Sequence, residues 1–220
     1  AARIDRLNPE EKRLLQAAAV IGTHVPFELL RAIADIDEEA LRRNLAQLQT
    51  AEFVYEVQLF PDLEYSFKHA LTHEVAYATV LQDRRSALHT RIVDAMERLY
   101  ADRLSGHVER LAHHAARGRL LPKAVRYLQE AGVKAADRSA NREAIAYFDE
   151  ALALLGELPE TNEWLTAALE IRIALGPPLI AVKGAPSQEV ESSYQRGLEL
   201  VDRLGAEASR FPVLWGLWFV

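Results

Sequence analysis

The chain has 220 residues, half of them apolar, which is enough for one sizeable domain or two small ones with a buried core. Its net charge of −6 argues against a general polyanion-binding protein, because affinity for phosphate backbones comes mainly from clustered Lys and Arg. The absence of cysteine excludes a disulfide framework, and the absence of a signal pattern or of a spanning apolar run predicts a cytoplasmic protein without membrane contact.

The N-terminal part of the chain shows three helical patterns. Asn8 has the position of an N-cap, and the first helix is expected to run to Ile21, with Gly22 after its end. A second helix is expected to begin near Pro26, and Asp37 is expected to cap a third. Helical spacing predicts the buried side chains of these helices to be Leu14, Leu15, Ala18 and Ala19, then Phe27, Leu30 and Ile33, and then Leu41, Leu45 and Leu48.

A β-hairpin is predicted to follow. Residues 52–59 are rich in Val, Phe and Tyr and predict a strand, Phe60-Pro61-Asp62 has turn chemistry, and residues 63–67 predict the partner strand. Three helices followed by a hairpin is the order of a winged-helix domain, which we place at residues 1–82. The third helix begins with acidic side chains that would repel phosphate, so packing against neighbouring domains is expected in place of nucleic-acid binding.

A helix is predicted directly after Lys68 and His69. Its apolar residues follow helical spacing and predict one buried face: Leu71, Val75, Ala78 and Leu81, with Ala70, Ala76 and Tyr77 beside them. His69 would then lie near a helix N-terminus, where orphan backbone N–H groups and the helix dipole favour contact with a phosphate.

Residues 83–104 are predicted to form a connecting helix that is capped by Asp83. Arg84 and Arg85 would lie in its first turn, where cations oppose the helix dipole. Either acidic partners within the chain or an anionic binding partner would explain them, so both arginines are candidate contacts for an anion or a partner.

Helical repeats are predicted from residue 105 onward. Spacings of small and large residues match a tetratricopeptide repeat, in which small side chains let antiparallel helices approach and an aromatic ring fills the gap. A second match lies twenty residues earlier, as expected for a continuous solenoid. The two matching sets are Leu128, Ala131, Gly132, Ala135, Ala144, Phe148 and Ala151, and Val108, Leu111, Ala112, Ala115, Ala124, Leu128 and Ala131.

Another helix pair is predicted at residues 163–181 and 187–204, and Gly176-Pro177-Pro178 is expected to end or kink its first helix. The run FPVLWGLWFV at residues 211–220 predicts a helix that is cut short, with an apolar edge that a following helix would cover. The repeats would therefore span residues 105–220 and be truncated at the C-terminus. Three tyrosines are candidates for lining a peptide groove, although their repeat spacing favours packing: Tyr127, Tyr147 and Tyr194.

The usual signatures of catalysis are absent from the sequence. It contains no G-x-x-x-x-G-K-S/T phosphate loop, no G-x-S-x-G and no cysteine nucleophile. His69 and His73 lie four residues apart, but no third metal ligand is evident, so histidines at the surface or in the core are expected. We therefore predict a chain without catalytic residues, metal or cofactor of its own.

One motif resembles a known family. Phe67-Lys68-His69-Ala70-Leu71 is similar to the winged-helix motif of STAND-type signalling ATPases, although Ala70 stands where that motif has Asp. The longer pattern F-K-H-A-L-x-x-E-V-A-Y, followed by R-R-x-x-L-H, resembles the region after the ATPase module in bacterial regulators, including multidomain adenylate/guanylate cyclases. The resemblance implies that His69, with Lys68 beside it, senses the β-phosphate of ADP.

The resemblance implies that this chain is a regulatory segment and not an enzyme, within a parent protein that would itself be an ATPase and an adenylate/guanylate cyclase. The partners would be an upstream P-loop ATPase domain, which binds ATP or ADP, and an output domain of the same polypeptide. The repeats would bind a protein or peptide ligand. Two alternatives remain open at this point: a free-standing repeat adaptor that binds peptides, and a DNA-binding regulator that uses its own winged helix.

Overall fold

A computed structural model describes residues 4–58 and 63–218 of the chain. The predicted fold class is confirmed: the protein is mainly α-helical, with a small sheet and a TPR-like superhelix. Two compact units are present, one of residues 1–104 with 117–119, and one of residues 105–116 with 120–220. The predicted turn Phe60-Pro61-Asp62 and the last two residues of the C-terminal run lie outside the described residues.

The first unit combines helices with a small sheet. It begins with a short 3-10 turn at Ile4–Arg6, and a second 3-10 segment, at Ala101–His107, starts within it. Its helices and strands are α1 (Pro9–Ile21), β1 (His24–Pro26), α2 (Phe27–Ile33), α3 (Glu38–Thr50), β2 (Val54–Gln58), β3 (Glu64–Phe67), α4 (Ala70–Ala78) and α5 (Gln82–Leu99).

The start of α1 has the predicted cap. The side-chain oxygen of Asn8 accepts hydrogen bonds from the backbone N–H groups of Glu10 and Glu11, both at 2.9 Å. The Glu11 carboxylate accepts the backbone N–H of Asn8 in return, which completes a capping box. The apolar side chains that helical spacing predicted for α1, α2 and α3 are all buried.

The sheet is antiparallel, with the strand order β1-β3-β2. The hairpin of β2 and β3 is the predicted one, whereas β1 has no sequence signal because it has three residues and ends in Pro26. The predicted first strand began at Glu52, but this residue has a positive φ of 58° and terminates α3. The backbone N–H of Phe53 donates to the Leu48 carbonyl across that turn, so pairing can begin only at Val54.

The predicted buried face of α4 is wrong. Leu71 is 69% exposed, and Leu81, which follows the helix, is 79% exposed. The face that packs against α1 instead contains the fully buried Ala76, flanked by the half-buried rings of His73 and Tyr77. Of the predicted set, Leu71, Ala78 and Leu81 are exposed and only Ala76 is fully buried, because the imidazole of His73 fills a position that an apolar count assigns to solvent.

Helix α5 also departs from the expectation at its start. It begins at Gln82 with Leu81 as the N-cap residue and without a side-chain cap, so the predicted capping role of Asp83 is wrong. The helix packs against α1 and α2 and is part of the first unit.

The second unit is a succession of helices, and from the second of them onward each helix packs on the next. They are α6 (Val108–Arg117), α7 (Leu121–Asp137), α8 (Asn141–Leu155), α9 (Asn162–Lys183), α10 (Gln188–Leu204) and α11 (Glu207–Trp218). The apolar and alanine positions of both predicted repeat matches are buried, as the repeat pattern requires. The ring of Phe148 is completely buried against Gly132, where an added Cβ would lie 2.6 Å from the ring.

Tight turns between the repeat helices use residues in the left-handed conformation. Ser139 has φ 60° after the end of α7, and the backbone N–H of Ala140 donates to the Ala135 carbonyl at 2.9 Å. Arg119 has φ 59° after α6, and the N–H of Leu120 donates to the Ala115 carbonyl at the same distance. This is the Schellman motif, formed here without glycine.

Helix α9 continues through Gly176-Pro177-Pro178, so these residues do not end it, and its bounds are close to the predicted 163–181. The two prolines have no N–H to donate, but α9 is held on its flanks by α8 and α10. Gly176 allows close packing, because a side chain there would overlap the ring of Tyr194.

Among the described residues, α9 is also the one helix whose length and composition would suit a membrane span. Its buried apolar side chains pack within the repeat array, and Glu170 and Arg172 lie near its middle. The hydropathy of α9 is therefore that of a core helix, although the sequence had suggested no run of this kind.

Candidate functional site

Lys68 and His69 connect β3 to α4 and are both exposed. The backbone N–H of Lys68 donates to the Phe53 carbonyl at 3.0 Å, and its ammonium group lies 2.6 Å from a carboxylate oxygen of Glu52. His69 is the N-cap residue of α4, with extended backbone angles and no side-chain capping bond. Its imidazole makes no hydrogen bond with any residue in the described part of the chain, so both ring nitrogens are available at the positive end of a nine-residue helix.

The nearby His73 has a different environment. Its Nε2 atom donates to the backbone carbonyl of Ala19 at 2.9 Å, and its ring packs edge-on against Phe67 at 5.1 Å. His73 therefore joins α4 to α1 and does not share a ligand with His69. Within residues 4–58 and 63–218, no group of three His, Cys, Asp or Glu residues is placed to hold a metal ion.

The two candidate arginines of α5 have separate surroundings. The guanidinium of Arg85 lies over the ring of Tyr77, 4.8 Å from its centroid, and donates to Gln82. Arg84 is exposed and lines a cavity of about 570 Å³, where it makes a long contact of 3.5 Å with the side-chain oxygen of Gln16 and its charge helps to lower the pKa of Asp35. Arg84 is thus the one of the pair that faces open space, and its contact with an anionic partner stays a prediction.

The same cavity in the first unit contains a strong ion pair. Arg91 donates two hydrogen bonds to the carboxylate of Asp35, at 2.6 and 2.7 Å. The hydrogen bond from Arg91 holds the pKa of Asp35 below its ordinary value, against a smaller opposing effect of burial. Sequence spacing could not pair these residues, because they are 56 positions apart.

Two of the three tyrosines proposed for a peptide groove are buried. Tyr127 is 2% exposed and Tyr194 is 7% exposed, and Tyr194 fills the space beside Gly176 and Gly216. The groove role is therefore wrong for these two residues, whose rings serve helix packing. Tyr147 is half-buried, its hydroxyl donates to Glu143 at 3.3 Å, and burial with this neighbouring carboxylate raises its pKa.

A groove does exist in the second unit, at a place that the sequence did not indicate. It has a volume of about 400 Å³ and lies between α7 and α9, beside the end of α8. We call it the α7–α9 groove. Its wall includes Val125, Ala167 and the indole of Trp164, whose N–H donates to the Leu155 carbonyl at 2.6 Å. Across it, the amide of Gln129 on α7 donates to the Glu170 carboxylate on α9 at 3.2 Å.

Helix α11 carries an apolar stripe on its solvent side. Phe211 is 69% exposed and stacks on the half-exposed Trp215, with 5.9 Å between ring centroids. Coverage of this stripe by a following helix stays a prediction.

No family model matches the chain. An uncharacterized protein of Rhizobium meliloti (strain 1021) is 31% identical over 210 residues, which are 94% of this chain and 20% of that protein. The chain thus spans about a fifth of the length of the curated relative that it matches.

A crystal structure with a similar arrangement is that of a Signal Transduction ATPase with Numerous Domains (STAND) protein with a tetratricopeptide repeat sensor, from Pyrococcus horikoshii. It shares 14% identity and a TM-score of 0.44 over 97% of this chain and 35% of that protein. This similarity is too weak to carry a conclusion about function.

Proposed function

We propose that this chain is a non-catalytic regulatory segment of a nucleotide-dependent signalling protein, and that it couples the ATP or ADP state of an attached ATPase domain to an output domain. The observation that carries the proposal is the TPR-like array with its open α7–α9 groove, since stacked helix pairs of this kind offer surface for protein contacts. An adenylate or guanylate cyclase is the output domain that the motif resemblance favours, and the cytoplasm is the compartment that fits such a protein.

The coupling part of the proposal depends on His69. Its imidazole is exposed, lacks a hydrogen bond to the described residues and stands at the start of α4, where a phosphate oxygen would meet both a ring N–H and backbone N–H groups. Lys68 adds a cation beside it, although the Glu52 carboxylate pairs with that ammonium group. Within the first unit we propose the winged-helix arrangement as the support for this site.

The test uses the longest natural protein that contains this chain. Its ADP affinity is measured by isothermal titration for the wild type, for His69→Ala and for His24→Ala, which removes another exposed imidazole of the same unit. Loss of one hydrogen bond to a charged group should weaken ADP binding by about tenfold or more in His69→Ala only. An unchanged ADP affinity in His69→Ala would remove the nucleotide-sensing role.

Coupling to the repeats is tested separately by amide hydrogen exchange of α7 and α9 in the ATP-bound and ADP-bound protein. A different protection in the two states is expected if the groove is occupied in one of them. Equal protection would leave the adaptor function, in which the groove binds a peptide regardless of nucleotide.

A DNA-binding function is disfavoured by the charge of α3. Arg42 and Arg43 are each bound to an acidic side chain one turn earlier, Glu38 and Glu39, at 2.8 and 2.6 Å. These pairs offset the positive charge that a recognition helix would need. Salt-sensitive duplex binding in a gel-shift titration would reverse this conclusion.

A further inference from the structure

A second cavity of the repeat unit contains three arginines. It has a volume of about 190 Å³ and is formed by α8, α9 and α10. Leu155 and Trp164 contribute apolar wall, and the side chains of Arg172, Arg196 and Arg203 line the remainder together with one glutamate. A concentration of guanidinium groups in a small concave space is the arrangement by which proteins bind carboxylate and phosphate.

The three arginines differ in their directly bonded partners. Arg203 is bound to Glu160. Arg172 and Arg196 make no hydrogen bond or ion pair with any residue that the structure describes. Arg172 is half-buried in the middle of α9, two residues after Glu170, and burial of a charge without a directly bonded partner is costly.

The electrostatic surroundings of Arg172 agree with this geometry. Burial lowers the pKa of its guanidinium, and the positive charge of Arg196 lowers it further. Asp149 and Glu199 act in the opposite direction but do not reverse the shift. An anion bound between Arg172 and Arg196 would therefore oppose their mutual repulsion and add to the favourable effect of Asp149 and Glu199.

We propose that this cavity binds an acidic side chain of a protein or peptide partner, with the carboxylate held between Arg172 and Arg196. The inference rests on the protein-binding part of the proposed function and is independent of the nucleotide role of His69.

A peptide is favoured over a small anion because the cavity is continuous in its lining with the α7–α9 groove. Leu155 and Trp164 line both spaces, and the bond from the Trp164 indole to the Leu155 carbonyl fixes the ring that stands between them. An extended segment can place apolar side chains in the groove and an acidic one in the cavity, whereas a free anion would use only the arginines.

The experiment selects peptides from a random-peptide phage library on the immobilised 220-residue chain. Asp and Glu should be enriched among the retained peptides. The best peptide is then synthesised with a fluorescent label, together with a copy in which amides replace its carboxylates. Replacing the acids, or introducing Arg172→Gln or Arg196→Gln, should weaken binding by about tenfold as measured by fluorescence anisotropy.

Arg142→Gln is the matched control, because Arg142 is an exposed arginine of α8 outside the cavity, and it should leave the affinity unchanged. Arg196 is itself exposed, so Arg196→Gln is expected to fold even if Arg172→Gln disturbs α9. Failure to retain peptides, absence of acidic enrichment, or equal binding by Arg196→Gln and the wild type would overturn the proposal. Competition by inorganic phosphate as strong as that of the acidic peptide would overturn it in favour of a small-anion site.

Discussion

The contact between Gly132 and Phe148 sets how closely α7 and α8 pack, and Gly132→Ala tests it. In a helix interior, replacing Gly by Ala stabilises by about 1 kcal/mol through backbone entropy alone. Here the new Cβ would lie 2.6 Å from a ring carbon of the fully buried Phe148, so the ring or the backbone must move. Overpacking of this kind costs roughly 1–3 kcal/mol, so the net expectation is a destabilisation of about 1 kcal/mol.

Gly197 on α10 provides the matched control. It is also a buried helical glycine, but a Cβ there would meet Val213 at 3.5 Å, an ordinary contact distance. Gly197→Ala should therefore stabilise the chain by up to about 1 kcal/mol. Urea unfolding followed by circular dichroism measures both changes.

The same substitution in a Phe148→Leu protein shows whether steric overlap with the ring causes the destabilisation. In Phe148→Leu the ring is gone, so Gly132→Ala should change sign and become stabilising, with a coupling free energy of about 1–3 kcal/mol between the two positions. If Gly132→Ala behaves like Gly197→Ala in the wild-type background, or if the coupling is absent, the close approach of α7 and α8 is not what the structure describes.

Three further changes test single contacts. Asn8→Ala removes the acceptor that caps α1 and should cost about 1 kcal/mol in urea unfolding; an unchanged midpoint would contradict the capping box. Ser139 has a left-handed φ of 60°, which glycine adopts at lower cost, so Ser139→Gly should add about 1 kcal/mol of stability, seen as a higher Tm. A lower Tm would show that the turn tolerates serine without strain. Arg91 holds the pKa of Asp35 below its ordinary value, so the ionised pair stabilises the fold at neutral pH and this contribution is lost as pH falls through the lowered pKa. Because Asp35 is largely exposed, Arg91→Gln should cost at most about 1 kcal/mol at neutral pH and nothing once Asp35 is protonated, and a difference that does not vary with pH would refute the pairing.

Much of the repeat unit could be predicted because the small and large residues of each helix pair recur at fixed spacings in the sequence. The offsets that join Leu128, Gly132 and Phe148 fix which residues face one another once two helices lie antiparallel, and these residues are buried as expected. Predictions were less accurate where they relied on the type of a single residue and left out the residues that pack against it in the fold. The two prolines after Gly176 would end an isolated helix, but α9 continues through them because α8 and α10 pack against it.

The candidate sites also differ in whether the sequence alone predicts them. The position of His69 at the start of α4 followed from the change of pattern after Phe67, although its role stays a prediction. The α7–α9 groove could not be predicted, because its wall comes from three helices. The same holds for the cavity that brings Arg172 and Arg196 together, because they belong to different helices.

By itself the sequence determined the local elements: a capped first helix, a hairpin, and helices whose small residues recur at repeat spacing. These depend on backbone geometry and on side chains a few positions apart, which a sequence displays directly. Only the tertiary structure decided which face of α4 is buried, which tyrosines are inaccessible and which arginines lack a directly bonded partner. Burial and pairing depend on side chains from distant parts of the chain, and neighbouring residues in a sequence do not specify them.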